Sequence, residues 1–127
     1  MKRLLVALMI LGLLATPCFA GSKTLKFQWN QADADMPTLK EWVLYKSISP
    51  TGPWEVQERI PAVPLQLNYT AQSTIIVPDN AVTTLHFSMT AIKTNGFESG
   101  RSNVVNYIFD FKAPDAPINF SVTVVTP

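Results

Sequence analysis

Cysteine, histidine, glycine and helical periodicity are all scarce in this chain. Its 127 residues hold one cysteine, one histidine and five glycines. The cysteine, Cys18, sits inside an apolar leader, so no disulfide is available once that leader is removed, and a hydrophobic core must hold the fold. The histidine, His86, has the opposite parity to Leu85, Phe87 and Met89 and reads as a sheet-surface residue, with no second imidazole to serve a nucleophile. Gly-rich phosphate cradles are absent. Asp33 and Asp35 share a loop, but the twelve-residue calcium pattern with its glycine and distal glutamate is missing. Glu55 and Glu58 differ in strand parity and are expected to face apart. These absences predict no enzyme activity, no cofactor and no metal.

Charge is low too, at 15% of residues. Removal of residues 1–20 takes away Lys2 and Arg3 and leaves 8 basic against 9 acidic side chains, close to a formal −1. Such a balance offers no footprint for nucleic acid or an anionic membrane surface.

What is present begins with Met1-Lys2-Arg3 and the apolar run Leu4 to Ala15. Twelve residues fall short of the ~20 needed to cross a bilayer but match the apolar region of a secretory signal. Cleavage after Ala20, in Cys18-Phe19-Ala20, gives a mature chain starting at Gly21, secreted or periplasmic, with no membrane span after processing. A retained anchor and a lipoprotein acylated at Cys18 are the alternatives, and Pro17 suits the second badly. The remaining residues suit one domain.

The organising stretch is Leu85 to Asn103. Leu85, Phe87, Met89 and Ala91 alternate with His86, Ser88, Thr90 and Ile92, the period of a half-buried strand. Asn95-Gly96 tolerates positive φ and turns the chain toward another strand starting near Ser102, which makes a β-hairpin. Upstream, Thr24 to Asn30 alternates with Leu25, Phe27 and Trp29 on one face. Gln31 to Thr38 has no period and reads as a loop. Leu39 to Ser47 is apolar on both faces, Trp42 and Leu44 against Val43 and Tyr45, which predicts a central strand. Ser49-Pro50-Thr51-Gly52-Pro53 is turn chemistry, and Trp54 to Gln57 resumes alternation. Pro61 and Pro64 make the stretch from Arg59 to Gln72 an edge segment or extended loop. Ser73 to Val77 is a short strand, Pro78-Asp79-Asn80 a turn, and Val105, Tyr107, Phe109 and Phe111 share one face of the last strand. The fold class is all-β, an antiparallel sandwich.

Trp29, the run Trp42-Val43-Leu44-Tyr45-Lys46-Ser47 with Ser49-Pro50-Thr51-Gly52-Pro53-Trp54, Phe87-Ser88-Met89-Thr90-Ala91, and Gly96-Phe97-Glu98-Ser99-Gly100-Arg101-Ser102-Asn103 together resemble a fibronectin type III domain of the bacterial extracellular kind. The resemblance covers Leu25 to Phe111, within a domain of residues 21–111. It implies an immunoglobulin-like antiparallel β-sandwich, with the family's strand B at Leu25, C at Leu39, C′ at Trp54, E at Ser73, F at Leu85 and G at Ser102. Leu85 stands where the family usually has a tyrosine that bonds back to the preceding corner. Only Gly21-Ser22-Lys23 precede strand B, where the family expects strand A.

Residues 112–127 form an extended tail resembling a strand A, in Ala113-Pro114-Asp115-Ala116-Pro117-Ile118-Asn119-Phe120-Ser121-Val122. It is an exposed end, or pairs with strand B of a neighbouring molecule, or folds back on its own strand B. In this fold G and A point the same way, so a tail in cis meets B in parallel, whereas one from a neighbour pairs antiparallel. The bare edge of Leu25, Phe27 and Trp29 is an association hazard. Weak self-association through residues 113–125 is therefore expected.

The resemblance implies a non-catalytic secreted or periplasmic module for protein–protein or cell-envelope contact, such as adhesion. The other readings are a carbohydrate-binding accessory module stacking sugars on Trp54, Tyr45 and Tyr107, and a strand-exchanging, chaperone-like or assembly subunit. Sandwich-end loops commonly carry binding, and the turn Thr94 to Arg101 offers Lys93, Asn95, Phe97, Glu98 and Arg101 as the partner-binding set. Phe97 either anchors a partner or tucks over the hairpin, and Trp54 is expected in the core. Asn68-Tyr69-Thr70 and Asn119-Phe120-Ser121 fit the N-glycosylation acceptor pattern, which matters only in a glycosylating host.

Overall fold

The computed structural model describes the backbone of residues 20–125 and the side chains of residues 21–125. The leader expected over residues 1–20 lies outside that range except for the backbone of Ala20. Alternating stretches form six strands: β1 Ala20–Trp29, β2 Leu39–Ser47, β3 Glu55–Pro61, β4 Tyr69–Pro78, β5 Val82–Lys93 and β6 Val105–Asp110. They make two layers. One is the pair β1–β4, the other the sheet β3–β2–β5–β6, and every pairing is antiparallel. The chain is thus an all-β, two-layer antiparallel structure, and β2 takes the internal position that its two apolar faces predict.

Register explains the packing. Trp42 lies opposite Ala91 and Leu44 opposite Met89, so these residues point into the space between the layers, while Val43 and Tyr45, opposite Thr90 and Ser88, lie on the outer side of the sheet, where Val43 is nonetheless fully buried. One cluster holds Leu44, Ile75, Val77, Leu85, Phe87 and Phe109; the other holds Leu39, Trp42 and Tyr69. Ile60 and Met89 touch both. Phe27 meets Phe87 edge-on at 5.1 Å, and Trp29 meets Trp42 at 5.2 Å. Phe27, Trp29, Trp42 and Phe87 therefore share one interior.

Several boundaries differ from the sequence expectation. Residues Asp33–Thr38 form a 3-10 helix in place of an irregular loop. It is short and only Met36 packs against the core, so it leaves no helical period to read. β4 begins at Tyr69, four residues before Ser73, because Tyr69 is buried against Trp29 and Trp42 from other elements. β3 continues to Pro61 on the sheet edge, where a missing N–H is harmless. A register shift sets Glu58 opposite Leu44 and Glu55 opposite Lys46, positions of one parity in β2. The two carboxylates thus fall on one side of the strand, not opposite sides, and go to separate partners, Ser73 Oγ at 3.3 Å and Lys46 Nζ at 3.6 Å.

The hairpin after β5 turns through Lys93 to Phe97. Gly96 N–H donates to Lys93 O and Lys93 N–H to Phe97 O, both at 2.9 Å. Only Gly96 has positive φ, at 92°, while Asn95 does not. That is a turn closed by a glycine bulge. The last strand starts at Val105, not Ser102, because Ser99 and Ser102 replace the ladder. Their N–H groups donate to Ala91 O and Met89 O, and their hydroxyls accept from Ala91 N–H and Met89 N–H.

Candidate functional site: the open seam beside β1

The two lateral seams of the sandwich differ. Between β3 and β4, Gln57 Nε2 donates to Ser73 Oγ at 3.1 Å and to Thr74 O at 3.2 Å, and Ser73 Oγ donates to Glu58. That seam is laced shut. On the other side, among the described residues, β1 pairs with β4 alone, so its second edge is open along Lys23, Leu25, Phe27 and Trp29.

Three depressions of about 270, 130 and 110 Å³ follow this open seam and share walls. The smallest is floored by Phe27, Phe87 and Met89 and reaches Val105, an inward-facing residue still 49% exposed. The middle one joins Trp29 to Ser99 and Ser102. The largest lies between Asp35 and the hairpin. Apolar surface facing an interior yet left uncovered is what an additional strand would bury.

Lys93, Asn95, Phe97 and Glu98, four of the five partner-binding residues expected from sequence, line the 270 Å³ depression. Phe97 is 74% exposed and does not tuck over the hairpin. Arg101 does not line that depression but lies on the outer face of the larger sheet, near the Glu98 carboxylate, with its guanidinium 4.5 Å from the Tyr45 ring and 4.8 Å from the Trp54 ring. It also donates to Ser88 Oγ at 3.1 Å. Trp54 is thus half-buried under Arg101 outside β3, and not in the core as expected, because the turn before it places the ring on the outer face. Of the edge residues, Phe27 and Trp29 form the groove wall, while Leu25 packs against the larger cluster.

The electrostatics beside the hairpin centre on Glu98, whose carboxylate accepts 2.5 Å hydrogen bonds from Tyr45 and Thr90. The Thr90 bond, then the Tyr45 bond and the charge of Arg101, hold its carboxyl below the usual glutamate value. Burial, then the bond to Glu98, raises the Tyr45 hydroxyl. Asp35 is drawn into packing, since Gln31 Nε2 donates to it at 2.8 Å while Gln31 Oε1 accepts from Trp42 Nε1 at 3.0 Å. Among the described residues no helix is long and apolar enough to cross a membrane.

No family model, curated protein or solved structure matches this chain.

Sequence reasoning missed the Tyr45–Arg101–Trp54 stack and the two serines that replace the ladder. The Ser-x-x-Ser spacing of Ser99 and Ser102, matched to Ala91 and Met89 two residues apart, was the available signal. The stack joins three separate segments and left none.

Proposed function

We propose that this chain is a non-catalytic, extracytoplasmic contact module of the immunoglobulin-like, fibronectin type III kind, which engages a protein or cell-surface component by accepting a strand at the open edge of β1. Strand order supports the fold assignment: B with E in one layer and C′–C–F–G in the other is the arrangement the sequence resemblance implies, with strand A missing. The single observation that carries the function is the interior-facing apolar row beside an unpaired strand edge. Backbone N–H and C=O groups there supply affinity, and the depressions accept alternate side chains.

The carbohydrate reading is less well supported. Tyr45 and Trp54 have Arg101 stacked on their rings, and Tyr107 has Lys23 Nζ at 5.1 Å from its centroid. A sugar platform needs free, coplanar aromatic faces.

A photo-crosslinking amino acid at Gln28, exposed on β1, tests the proposal in cells that export the protein. Adducts are expected from Gln28 and not from Ile48, which is exposed at a distant turn. Adducts from both positions in equal yield, or from neither, would overturn it.

A further inference from the structure

We infer that the strand accepted by β1 is residues 117–125 of a second copy of this chain, paired antiparallel. This rests on the contact reading above and names its partner.

Ile118, Phe120, Val122 and Val124 alternate with Asn119, Ser121 and Thr123, the pattern of a strand with one apolar face. In the structure these four side chains are 84, 92, 90 and 89% exposed, and the segment pairs with nothing among the described residues. The chain therefore carries both an unfilled strand position and an unpaired segment of strand pattern, which bends at Ile118–Asn119, where Asn119 has φ 56°, and would straighten on pairing.

Direction and reach decide between the chain's own tail and another's. Gly21, at the start of β1, lies beside Phe111, at the end of β6; Lys23 lies over Tyr107; and Phe27 and Trp29 share a depression with Val105. β1 and β6 thus run in opposite directions across the seam, and the tail leaves from the β1 start. Its root is fixed there: Phe111 N–H donates to Ala81 O and Ala113 N–H to Asn80 Oδ1, both at 3.0 Å. An antiparallel partner for β1 must begin beside Trp29, eight residues on from Gly21, or roughly 26 Å away at strand spacing. From Ala113, where the root is bonded, the five steps to Ile118 reach at most about 18 Å fully extended. The tail cannot enter its own groove in that direction; a neighbour's tail can.

Register follows from the match of four inward positions to four. Ile118 opposite Trp29, Phe120 opposite Phe27, Val122 opposite Leu25 and Val124 opposite Lys23 keeps these four apolar residues over the groove and within the length of β1, with Val125 alone turned outward. A slip of one residue would turn Asn119, Ser121 and Thr123 inward. Reciprocal exchange closes as a two-fold pair, whereas one-way donation adds further copies.

Light scattering on the full chain, exported through its own leader, reads the association. A mass that climbs above the monomer with concentration is expected, and F120D/V122D, which changes only exposed tail residues, is expected to return the monomer mass with an unchanged circular dichroism spectrum. Two single-cysteine chains, K26C and S121C, are then mixed. Directly opposed Cα atoms in an antiparallel pair lie within disulfide reach, so the mixed disulfide is expected at least tenfold above that from K26C with V122C. A monomer mass for the unaltered chain at every concentration, or equal yields from the two mixtures, overturns the inference. If in addition Gln28 crosslinks to a different protein, the contact reading stands without self-exchange; if Gln28 crosslinks to nothing, both fall.

Discussion

Trp29 and Trp42 lie ring against ring at 5.2 Å, yet truncating them is expected to have different consequences. Trp42 Nε1 donates to Gln31 Oε1 at 3.0 Å, whereas Trp29 Nε1 is buried without an acceptor among the described residues. Trp→Phe at either position removes part of the indole and leaves a void, a loss of about 1–2 kcal/mol. At Trp42 the net hydrogen bond, about 1 kcal/mol, is lost as well, and Gln31 Oε1 is left half-buried without its donor. At Trp29 the substitution deletes an orphan donor whose desolvation costs about 1–3 kcal/mol, which offsets the void. W42F is therefore expected to lose about 2–3 kcal/mol and W29F to stay within about 1 kcal/mol of the parent. For a domain near 100 residues that difference separates the melting temperatures by about 10–20 °C. Urea unfolding followed by far-ultraviolet circular dichroism, with matching m-values, measures it. Equal losses at the two positions would refute the reasoning, since area alone would then govern.

Glu98 has its carboxyl pK held below the ordinary 4.5, so its contribution is present above that value and disappears as pH falls through the lower folded value; E98Q is expected to flatten this acid limb in a pH series of urea midpoints. Tyr45 is raised above 10.0, so its contribution is complete below pH 10 and lost as pH rises through the higher folded value; Y45F is expected to remove that alkaline dependence. R101A uncovers the Trp54 ring and is expected to increase acrylamide quenching of tryptophan fluorescence at a stability loss of about 1 kcal/mol, with R101K recovering only part of the protection. Gly96 has φ 92° and open space around its Cα, so G96A is expected to cost about 1–2 kcal/mol from backbone strain alone, read as a lower melting temperature with an unchanged spectrum.

Most of the layering was legible because alternation is a local signal. β2 matches its expected span, Leu39 to Ser47, since both faces are apolar and turn chemistry marks its end. Strand ends were less legible wherever a long-range contact decides them. Tyr69 joins β4 because Trp29 and Trp42 pack on it, and nothing between Asn68 and Gln72 signals that. Val105 starts β6 late because serine hydroxyls, which can stand in for backbone acceptors, hold the preceding stretch to β5. The edge residues Phe27 and Trp29 were legible as an exposed row, but the depressions beside them depend on the position of Ser99 and Ser102 in space. Arg101 was expected beside Phe97 because both belong to one turn; the bulge at Gly96 and the aromatic faces of Tyr45 and Trp54 send it to the opposite side of the sheet.

The contrast between the two seams bears on why an edge would be left open at all. Gln57 and Glu58 on the edge strand β3 bond across to Ser73 and Thr74, so polar side chains there do the closing and present no bare ladder. Along β1 the interior-facing residues are Leu25, Phe27 and Trp29, with Lys23 alone carrying charge. An edge guarded against association usually bears inward charges, proline or a bulge. Between Lys23 and Trp29 β1 has neither proline nor a register break. The tail likewise has no charged residue from Ala116 to Val125, although a segment meant only to stay solvated would lose nothing by carrying some. The two surfaces share one period, and Lys23 is the single inward charge between them, so the exchange proposed above would cover both liabilities in one contact.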